Sequence, residues 1–172
     1  MIYKFKDKTP DIGKAAFVAD SADIMGEVTL GENTTIWFKT VLRGDIAPVV
    51  VGKGTNIQEG TVVHVDDNVP CVIGDNVTVG HGAILHATKI GNRSLIGMGA
   101  IVLSNSEIGE DSVVGAGSLV TEGKVFPPRS LIVGSPARRI RDITDSDMER
   151  IKSGTEKYID LGKELAKNQT QK

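Results

Sequence analysis

Along most of this chain an aliphatic residue returns every six positions, and glycine often follows it. The eighteen aliphatic positions are Ile12, Val18, Ile24, Leu30, Ile36, Leu42, Val51, Ile57, Val63, Ile73, Val79, Leu85, Ile90, Ile96, Val102, Ile108, Val114 and Val120. A period of six does not match an α-helix, but it is a multiple of the two-residue period of a β-strand. The pattern predicts a solenoid of short parallel strands, with one aliphatic side chain per unit pointing into a narrow core.

The six-residue register breaks at three places, and all three breaks fall on one face of the predicted solenoid. The step to the next aliphatic position is nine residues after Leu42, ten after Val63 and five after Leu85. When the units are counted in threes, these residues occupy the same face of successive coils. Places where a regular pattern fails are expected to be functional or strained. This face is therefore where we expect a site.

The residues directly after these three aliphatic positions are Arg43, His64 and His86. Because neighbouring residues of a strand point to opposite sides, these three side chains are expected to point outward. Paired strands lie about 4.8 Å apart, so the three side chains are also expected to stack in one column at that spacing. The sequence thus predicts a polar column that holds two of the protein's three histidines.

The third histidine, His81, lies one unit earlier than His86 and belongs to a different face. Its position in the repeat is the same as that of Glu59 in the preceding coil, and Gln58 is next to Glu59. The register therefore predicts a second polar column along the adjoining face, formed by Gln58, Glu59 and His81.

The three histidines indicate a metal site. Neutral imidazole is the commonest protein ligand of zinc, and three histidines with one water form a known catalytic arrangement. The predicted stacking lets nitrogens of His64 and His86 reach one ion at about 2.0–2.1 Å each. His81 lies on another face, so a third ligand from a neighbouring subunit is geometrically easier than one from the same chain. Zn²⁺ is the expected ion, and Fe²⁺ or Co²⁺ suits the same donors.

Composition excludes several function classes. A length of 172 residues suits one domain, and a net charge of -2 from 20 basic and 22 acidic residues argues against nucleic acid or a membrane surface as partner. The single cysteine excludes an intrachain disulfide. The first ten residues contain no apolar run of the kind found in a signal peptide, so we expect a cytoplasmic location.

The repeat pattern loosens from Thr121 onward, and a helix is expected near the C-terminus. Thr144 followed by acidic residues is typical of a helix start. Apolar residues then recur at steps of three or four, which predicts one amphipathic helix that Gly154 could interrupt. We therefore expect a solenoid domain over 1–140, with repeats over about 12–125, and a C-terminal helix and tail over 141–172, the tail beginning at Asn168.

Three runs of sequence closely resemble the γ-class carbonic anhydrase family: Arg43-Gly44-Asp45, Asn56-Ile57-Gln58-Glu59-Gly60-Thr61-Val62-Val63-His64 and Gly80-His81-Gly82-Ala83-Ile84-Leu85-His86. The resemblance extends over nearly the whole chain. It implies an all-β solenoid, a left-handed parallel β-helix of hexapeptide repeats with three units per coil and a C-terminal α-helix. Eighteen units would then make six coils. It also implies a homotrimer that hydrates CO2 reversibly to bicarbonate.

The resemblance implies that the ligands of each metal ion come from two subunits. It implies three metal sites per trimer, each at a subunit interface. His64 and His86 would come from one subunit and His81 from its neighbour. Arg43 and Asp45 resemble the pair that bridges subunits near the site.

Three further residues resemble groups around the metal site of this family. Gln58 resembles the residue that hydrogen-bonds metal-bound water or bicarbonate. Glu59 stands where the family prototype has an aspartate. Tyr158 resembles a tyrosine of the C-terminal helix near the site.

Two departures keep other functions open. The best-studied members carry a long acidic loop between the first two histidines, whereas here the short loop holds only Asp66 and Asp67, so proton export and CO2 hydration are expected to be weak. Hexapeptide repeats also occur in acyl-CoA transferases and thioesterases. If this chain is such an enzyme, His81 or His86 would serve as its general base. A non-catalytic metal-binding trimer is the third interpretation.

Overall fold

A computed structural model describes residues 1–168 of the protein. Short strands dominate this part of the chain. In chain order they are β1 (Ile2–Tyr3), β2 (Phe17–Val18), β3 (Asp23–Leu30), β4 (Thr35–Ile36), β5 (Val41–Val51), β6 (Asn56–Ile57), β7 (Val62–His64), β8 (Cys71–Ile73), β9 (Thr78–Val79), β10 (Ile84–His86), β11 (Lys89–Ile90), β12 (Leu95–Ile96), β13 (Ile101–Val102), β14 (Glu107–Ile108), β15 (Val113–Val114), β16 (Leu119–Val120), β17 (Val125–Phe126), β18 (Ser130–Gly134) and β19 (Ala137–Asp142). One helix, α1 (Asp145–Asn168), follows them.

The strands coil into a β-solenoid, as the six-residue period predicts. Strand β4 pairs in parallel with β6, and β5 pairs in parallel with both β7 and β8. Each core position therefore lies beside the one three units later, so three units complete one coil. Among the described strands the pairing is parallel throughout, except for the hairpin formed by β18 and β19.

The solenoid has about seven turns, one more than the six coils expected from the repeat. Strands β2, β4, β6, β9, β12, β15 and β18 stack along one face. The expected number was one short because the repeat continues beyond Val120. Phe126 and Ile132 keep the six-residue step and pair with the preceding coil through β17 and β18. Pro127 and Pro128 interrupt the sequence pattern at this point without ending the coil.

The core is a thin aliphatic stack in which Ile36, Leu42 and Ile57 are fully buried. Small hydroxyl residues fill the corners between strands. The Oγ1 atoms of Thr40 and Thr61 donate to the backbone carbonyls of Gln58 and Gly80 in the following coil. Each of these carbonyls also accepts a backbone amide within its turn, so the hydroxyls add a second hydrogen bond that joins one coil to the next. The core thereby holds successive coils in one register, which sets the positions of the outward-pointing residues.

Helix α1 begins with a capping box and docks on its own solenoid. The Asp147 amide donates to Thr144 Oγ1, while the Thr144 amide and hydroxyl donate to Asp147 Oδ2. Such reciprocal bonding satisfies donors at the start of a helix. The helix continues without a break through Gly154 and packs against β2, β4, β6 and β9. Residues 169–172 of the expected tail lie outside the described part of the chain. In that part, no helix is both long and apolar enough to cross a membrane.

Two glycines of α1 give opposite predictions for the same substitution. A Cβ at Gly162 would clash with Thr35 Cγ2, whereas a Cβ at Gly154 would meet no atom within 4 Å. Gly162→Ala is therefore expected to lower the free energy of unfolding by about 1–3 kcal/mol through overpacking. Gly154→Ala is expected to raise it by about 0.5–1 kcal/mol because alanine favours a helix interior.

Urea unfolding at equal protein concentration measures both changes, and each variant is the control for the other. Equal stability of the two variants would show that α1 does not pack on the solenoid through Gly162.

Candidate metal centre

Arg43, His64 and His86 form the outward column that the register predicts. In the register of the paired strands, Arg43 of β5 lies beside His64 of β7, and His64 lies beside His86 of β10. The Nδ1 atom of His64 lies 3.1 Å from Nε2 of His86, and the two ring centroids are 5.1 Å apart. The fold thus brings two imidazole nitrogens face to face at the surface of the solenoid.

Asp45 holds the His64 ring. The distance from His64 Nε2 to Asp45 Oδ1 is 3.1 Å, and Arg43 donates to the other carboxylate oxygen. Burial raises the pKa of the Asp45 carboxyl, but hydrogen bonds from His64, from its own backbone amide and from Arg43 hold that pKa below its ordinary value. Because an ionised carboxylate only accepts, His64 Nε2 carries the hydrogen and Nδ1 carries a lone pair.

The His64 imidazole is favoured in its neutral form. Burial lowers its pKa, and although the hydrogen bond to Asp45 acts in the opposite direction, the pKa stays below its ordinary value. Neutral imidazole is the form that binds metals. The position of His64 is therefore suited to a ligand.

His86 has a partner that the sequence analysis missed. Its Nδ1 atom lies 2.8 Å from the hydroxyl of Ser104, and that hydroxyl donates to Asp66 Oδ2 at 3.4 Å. Ser104 comes two residues after Val102, so it is not one of the small residues that follow each aliphatic position by four. The signal that could have found it is a small polar residue one coil beyond His86.

A second polar group lies at the corner that precedes this face, and not along the adjoining face as the register predicted. His81 Nδ1 is 2.6 Å from Glu59 Oε2, and both side chains are well exposed. Tyr158 of α1 packs edge-on against Trp37, with ring centroids 5.2 Å apart. Burial, and then the charge of Glu59, raises the pKa of Tyr158. The chain thus groups Glu59 with His81 and places Tyr158 within electrostatic reach of Glu59.

Gln58 is buried, and its amide is engaged within the coil. Its Nε2 atom donates to Asn56 Oδ1 at 3.0 Å, and Asn56 Nδ2 donates to Thr78 Oγ1 at 2.8 Å. Thr78 Oγ1 lies 3.1 Å from Thr155 Oγ1 of α1. Gln58 therefore belongs to a hydrogen-bonded row that leads from the second column to the helix.

One chain brings the predicted site residues together in two groups. The first group contains Arg43, Asp45, His64 and His86. The second group lies apart from it and contains Glu59 and His81. Over residues 1–168, no three His, Cys, Asp or Glu side chains are arranged to hold a metal ion. Two imidazole nitrogens face each other within one chain, so a three-histidine site would need a further contribution.

The comparisons with known proteins agree with this architecture. A family model described as bacterial transferase hexapeptide (six repeats) matches residues 87–122. The chain is 42% identical to a solved Bacillus cereus structure, with a TM-score of 0.96 and coverage of 98% of each chain. The description of that structure gives acetyltransferase as a provisional name.

Several relatives carry the name carbonic anhydrase. A protein of Geobacillus kaustophilus named carbonic anhydrase is 45% identical over 162 residues, which cover 94% of this chain and 89% of that protein. Gamma carbonic anhydrase 1, mitochondrial, of Arabidopsis thaliana is 40% identical over 161 residues, and the match spans 90% of this chain and 58% of that longer protein. By this similarity over nearly its full length, the chain belongs to the γ-carbonic anhydrase-like family of hexapeptide-repeat proteins, whose carbonic anhydrase members are lyases.

Proposed function

We propose that this protein is a metal-dependent γ-carbonic anhydrase-like enzyme that catalyses the reversible hydration of CO2 to bicarbonate. We propose further that it acts as a homotrimer with metal sites at its subunit interfaces. The observation that carries the proposal is the pair of facing imidazole nitrogens, 3.1 Å apart, of His64 and His86. Family membership supplies the reaction, and the pair supplies the place.

The histidine pair fits a metal ion. Two nitrogens bound to one tetrahedral ion at 2.0–2.1 Å each are about 3.3 Å apart, close to the distance in this chain. Zn²⁺ is the proposed ion, with Fe²⁺ or Co²⁺ suited to the same donors. When bound, the metal supplies the Lewis acidity that makes water a nucleophile near neutral pH.

The shape of the face supports a shared site. His86 ends strand β10, and His81 lies at the corner before that strand, with the outward-pointing Ile84 between them. Family members typically form trimers. If this face forms the interface of a rotational trimer, the contact is heterologous and would bring the end of the face on one subunit to its beginning on the next. His81 of a neighbouring subunit would then complete the ligand set of His64 and His86.

An apolar row on the same face supports subunit contact there. Val62 and Ile84 are neighbours across β7 and β10, and they are 37% and 38% exposed. Phe38 and Met98, which share the repeat position of His81 at the neighbouring corner, add exposed apolar area there, at 44% and 59%. Grouped apolar side chains at a surface are typical of interaction sites. We infer that the row is covered in the trimer and that it aligns the two halves of each site.

The remaining residues would position the reactants. Asp45, fixed by Arg43, would orient His64, and Glu59 would orient His81 in the same way. Gln58 would orient an oxygen of the substrate. Tyr158, packed on Trp37 and within electrostatic reach of Glu59, would close one side of the site.

Proton transfer to solvent is the step for which this chain is least equipped. Asp66 and Asp67 are the only acids in the sequence of the short loop after His64, and both oxygens of Asp66 already accept hydrogen bonds, from Ser104 and from the Asp67 amide. We therefore expect weak CO2 hydration in stopped-flow measurements, rising with imidazole buffer concentration because external base replaces an internal shuttle. Gln58→Ala is expected to lower turnover and leave metal content unchanged.

Metal-free protein prepared with a chelator is the control for this experiment. Fully metallated protein that shows no hydration at any buffer concentration would contradict the proposal. If that protein instead hydrolyses or transfers acyl groups from CoA thioesters, the acyl-CoA function replaces it. If neither reaction occurs, the non-catalytic metal-binding trimer remains.

Acyl transfer is the second candidate because of the likeness to the Bacillus cereus structure that bears an acetyltransferase name. In that case the exposed imidazole of His81, paired with Glu59 at 2.6 Å, would serve as general base. Such a reaction needs no metal, so elemental analysis of protein purified without added metal separates the two candidates.

A further inference from the structure

We propose that Ser104 and Asp66 are positioning residues, which hold His86 in the tautomer whose Nε2 lone pair faces His64. This inference rests on the proposed metal site, and it assigns a structural task to the short loop after His64. It identifies the outer hydrogen-bond partners of one ligand.

Donor and acceptor roles follow from chemistry. The Asp66 carboxylate only accepts, so the Ser104 hydroxyl donates its single hydrogen to Asp66 Oδ2, at 3.4 Å. Having spent that hydrogen, the hydroxyl oxygen accepts from His86 Nδ1, at 2.8 Å. His86 therefore carries its hydrogen on Nδ1, and its Nε2 atom carries a lone pair.

The arrangement is the counterpart of the one at His64. There the carboxylate of Asp45 takes the hydrogen of Nε2, which leaves the lone pair on Nδ1. The two lone-pair nitrogens face each other at 3.1 Å. Two lone pairs at that distance repel, and a cation between them turns repulsion into attraction. The outer hydrogen bonds on both sides thus prepare the pair for a positive ion.

The loop that carries Asp66 is built to present it. Asp66 and Val69 exchange backbone hydrogen bonds of 3.2 and 3.0 Å, which close the loop into a tight turn. The amide of Asp67 donates to Asp66 Oδ1 at 2.9 Å, so the other oxygen is left for Ser104. Ser104 is only 5% exposed, which shields its hydrogen bonds from competition by water. Asp66 is therefore more than a solvated loop residue.

The first test reads the tautomer of His86 without metal. Nitrogen NMR of the full-length protein with ¹⁵N-labelled histidine, after metal removal, should place the His86 hydrogen on Nδ1, with His86→Asn identifying the signals. Ser104→Ala is expected to shift the hydrogen towards Nε2. Ser106→Ala is the matched control, because its buried hydroxyl in the same coil bonds Thr88 and Leu103, and it should leave the tautomer unchanged.

The second test measures Co²⁺ affinity by competition with a chelator. Loss of an outer partner typically costs about 10–100-fold in metal affinity, and Ser104→Ala is expected to fall in that range. Asp66→Ala, on an exposed loop, should weaken affinity in the same direction and guards against misfolding of the serine variant. Asp67→Ala should bind as the unchanged protein does.

The outcomes separate this inference from the metal proposal. If the wild-type protein binds no Co²⁺, the metal proposal is wrong, and the NMR measurement still determines the tautomer of His86. A His86 hydrogen on Nε2, or a Ser104→Ala protein with unaltered tautomer, overturns the positioning role. So does a Ser104→Ala protein with unaltered affinity when the unchanged protein binds Co²⁺.

Discussion

Replacement of His86 by asparagine is expected to remove the bound metal and, with it, CO2 hydration. Loss of an outer partner already costs about 10–100-fold in metal affinity, so loss of a ligand should cost more than about 100-fold. The solenoid should stay folded because the His86 side chain points out of the core and is only partly buried. Elemental analysis after purification without added metal measures the first effect, and circular dichroism checks the fold.

Leu103→Asn is the matched control for this substitution. Leu103 follows Val102 as His86 follows Leu85, and Val102 lies beside Leu85 in the next coil. The Leu103 side chain is half-buried and has no atom that could bind a metal ion. This variant should retain the metal. If His86→Asn retains stoichiometric metal, the facing nitrogens of His64 and His86 are not the metal site.

The column of Arg43, His64 and His86 could be predicted because it depends only on register. A six-residue period determines which residues point inward, and the step lengths determine which coil positions coincide. The three register breaks then indicated the face, since a longer or shorter step between core positions on one face leaves the remaining core positions in register. The paired strands of the structure put these three residues side by side.

The partners of this column were harder to predict because they depend on loop conformation. Ser104 and Asp66 are 38 residues apart in sequence, and they meet because the loop after His64 folds back across a coil. No periodic pattern encodes that fold. A sequence shows that Asp66 is an acid in a short loop, and only the structure shows that its carboxylate accepts from Ser104.

The amide of Gln58 shows a similar limit of pattern reasoning. The register grouped Gln58 with Glu59 and His81 in one polar column, but Gln58 is buried while the other two are exposed. Alternation along a strand does not determine which hydrogen bonds a side chain makes. In the structure Nε2 of Gln58 donates to Asn56 within the coil. The sequence pattern also did not show where the solenoid ends. Pro127 and Pro128 interrupt the pattern that loosens from Thr121, although the aliphatic step continues to Ile132.

Two variants that each lack metal should recover it together, because each proposed site takes its ligands from two subunits. His81→Asn keeps the pair of His64 and His86, and His86→Asn keeps His81. Trimers that contain both kinds of subunit can be obtained by co-expression with two affinity tags and purification on both. Neither variant alone should bind metal or hydrate CO2.

Cyclic symmetry sets the size of the recovery. In any mixed trimer only one interface joins an intact pair of His64 and His86 to an intact His81, so metal content and CO2 hydration should return to about one third of the unchanged protein. Co-expressed His64→Asn and His86→Asn subunits are the control, since every interface then has a damaged pair and nothing should return. Metal in the control trimers would mean that the two histidines act in different sites. If the mixed trimers of His81→Asn and His86→Asn subunits contain no metal, the ligands are not shared between neighbouring subunits.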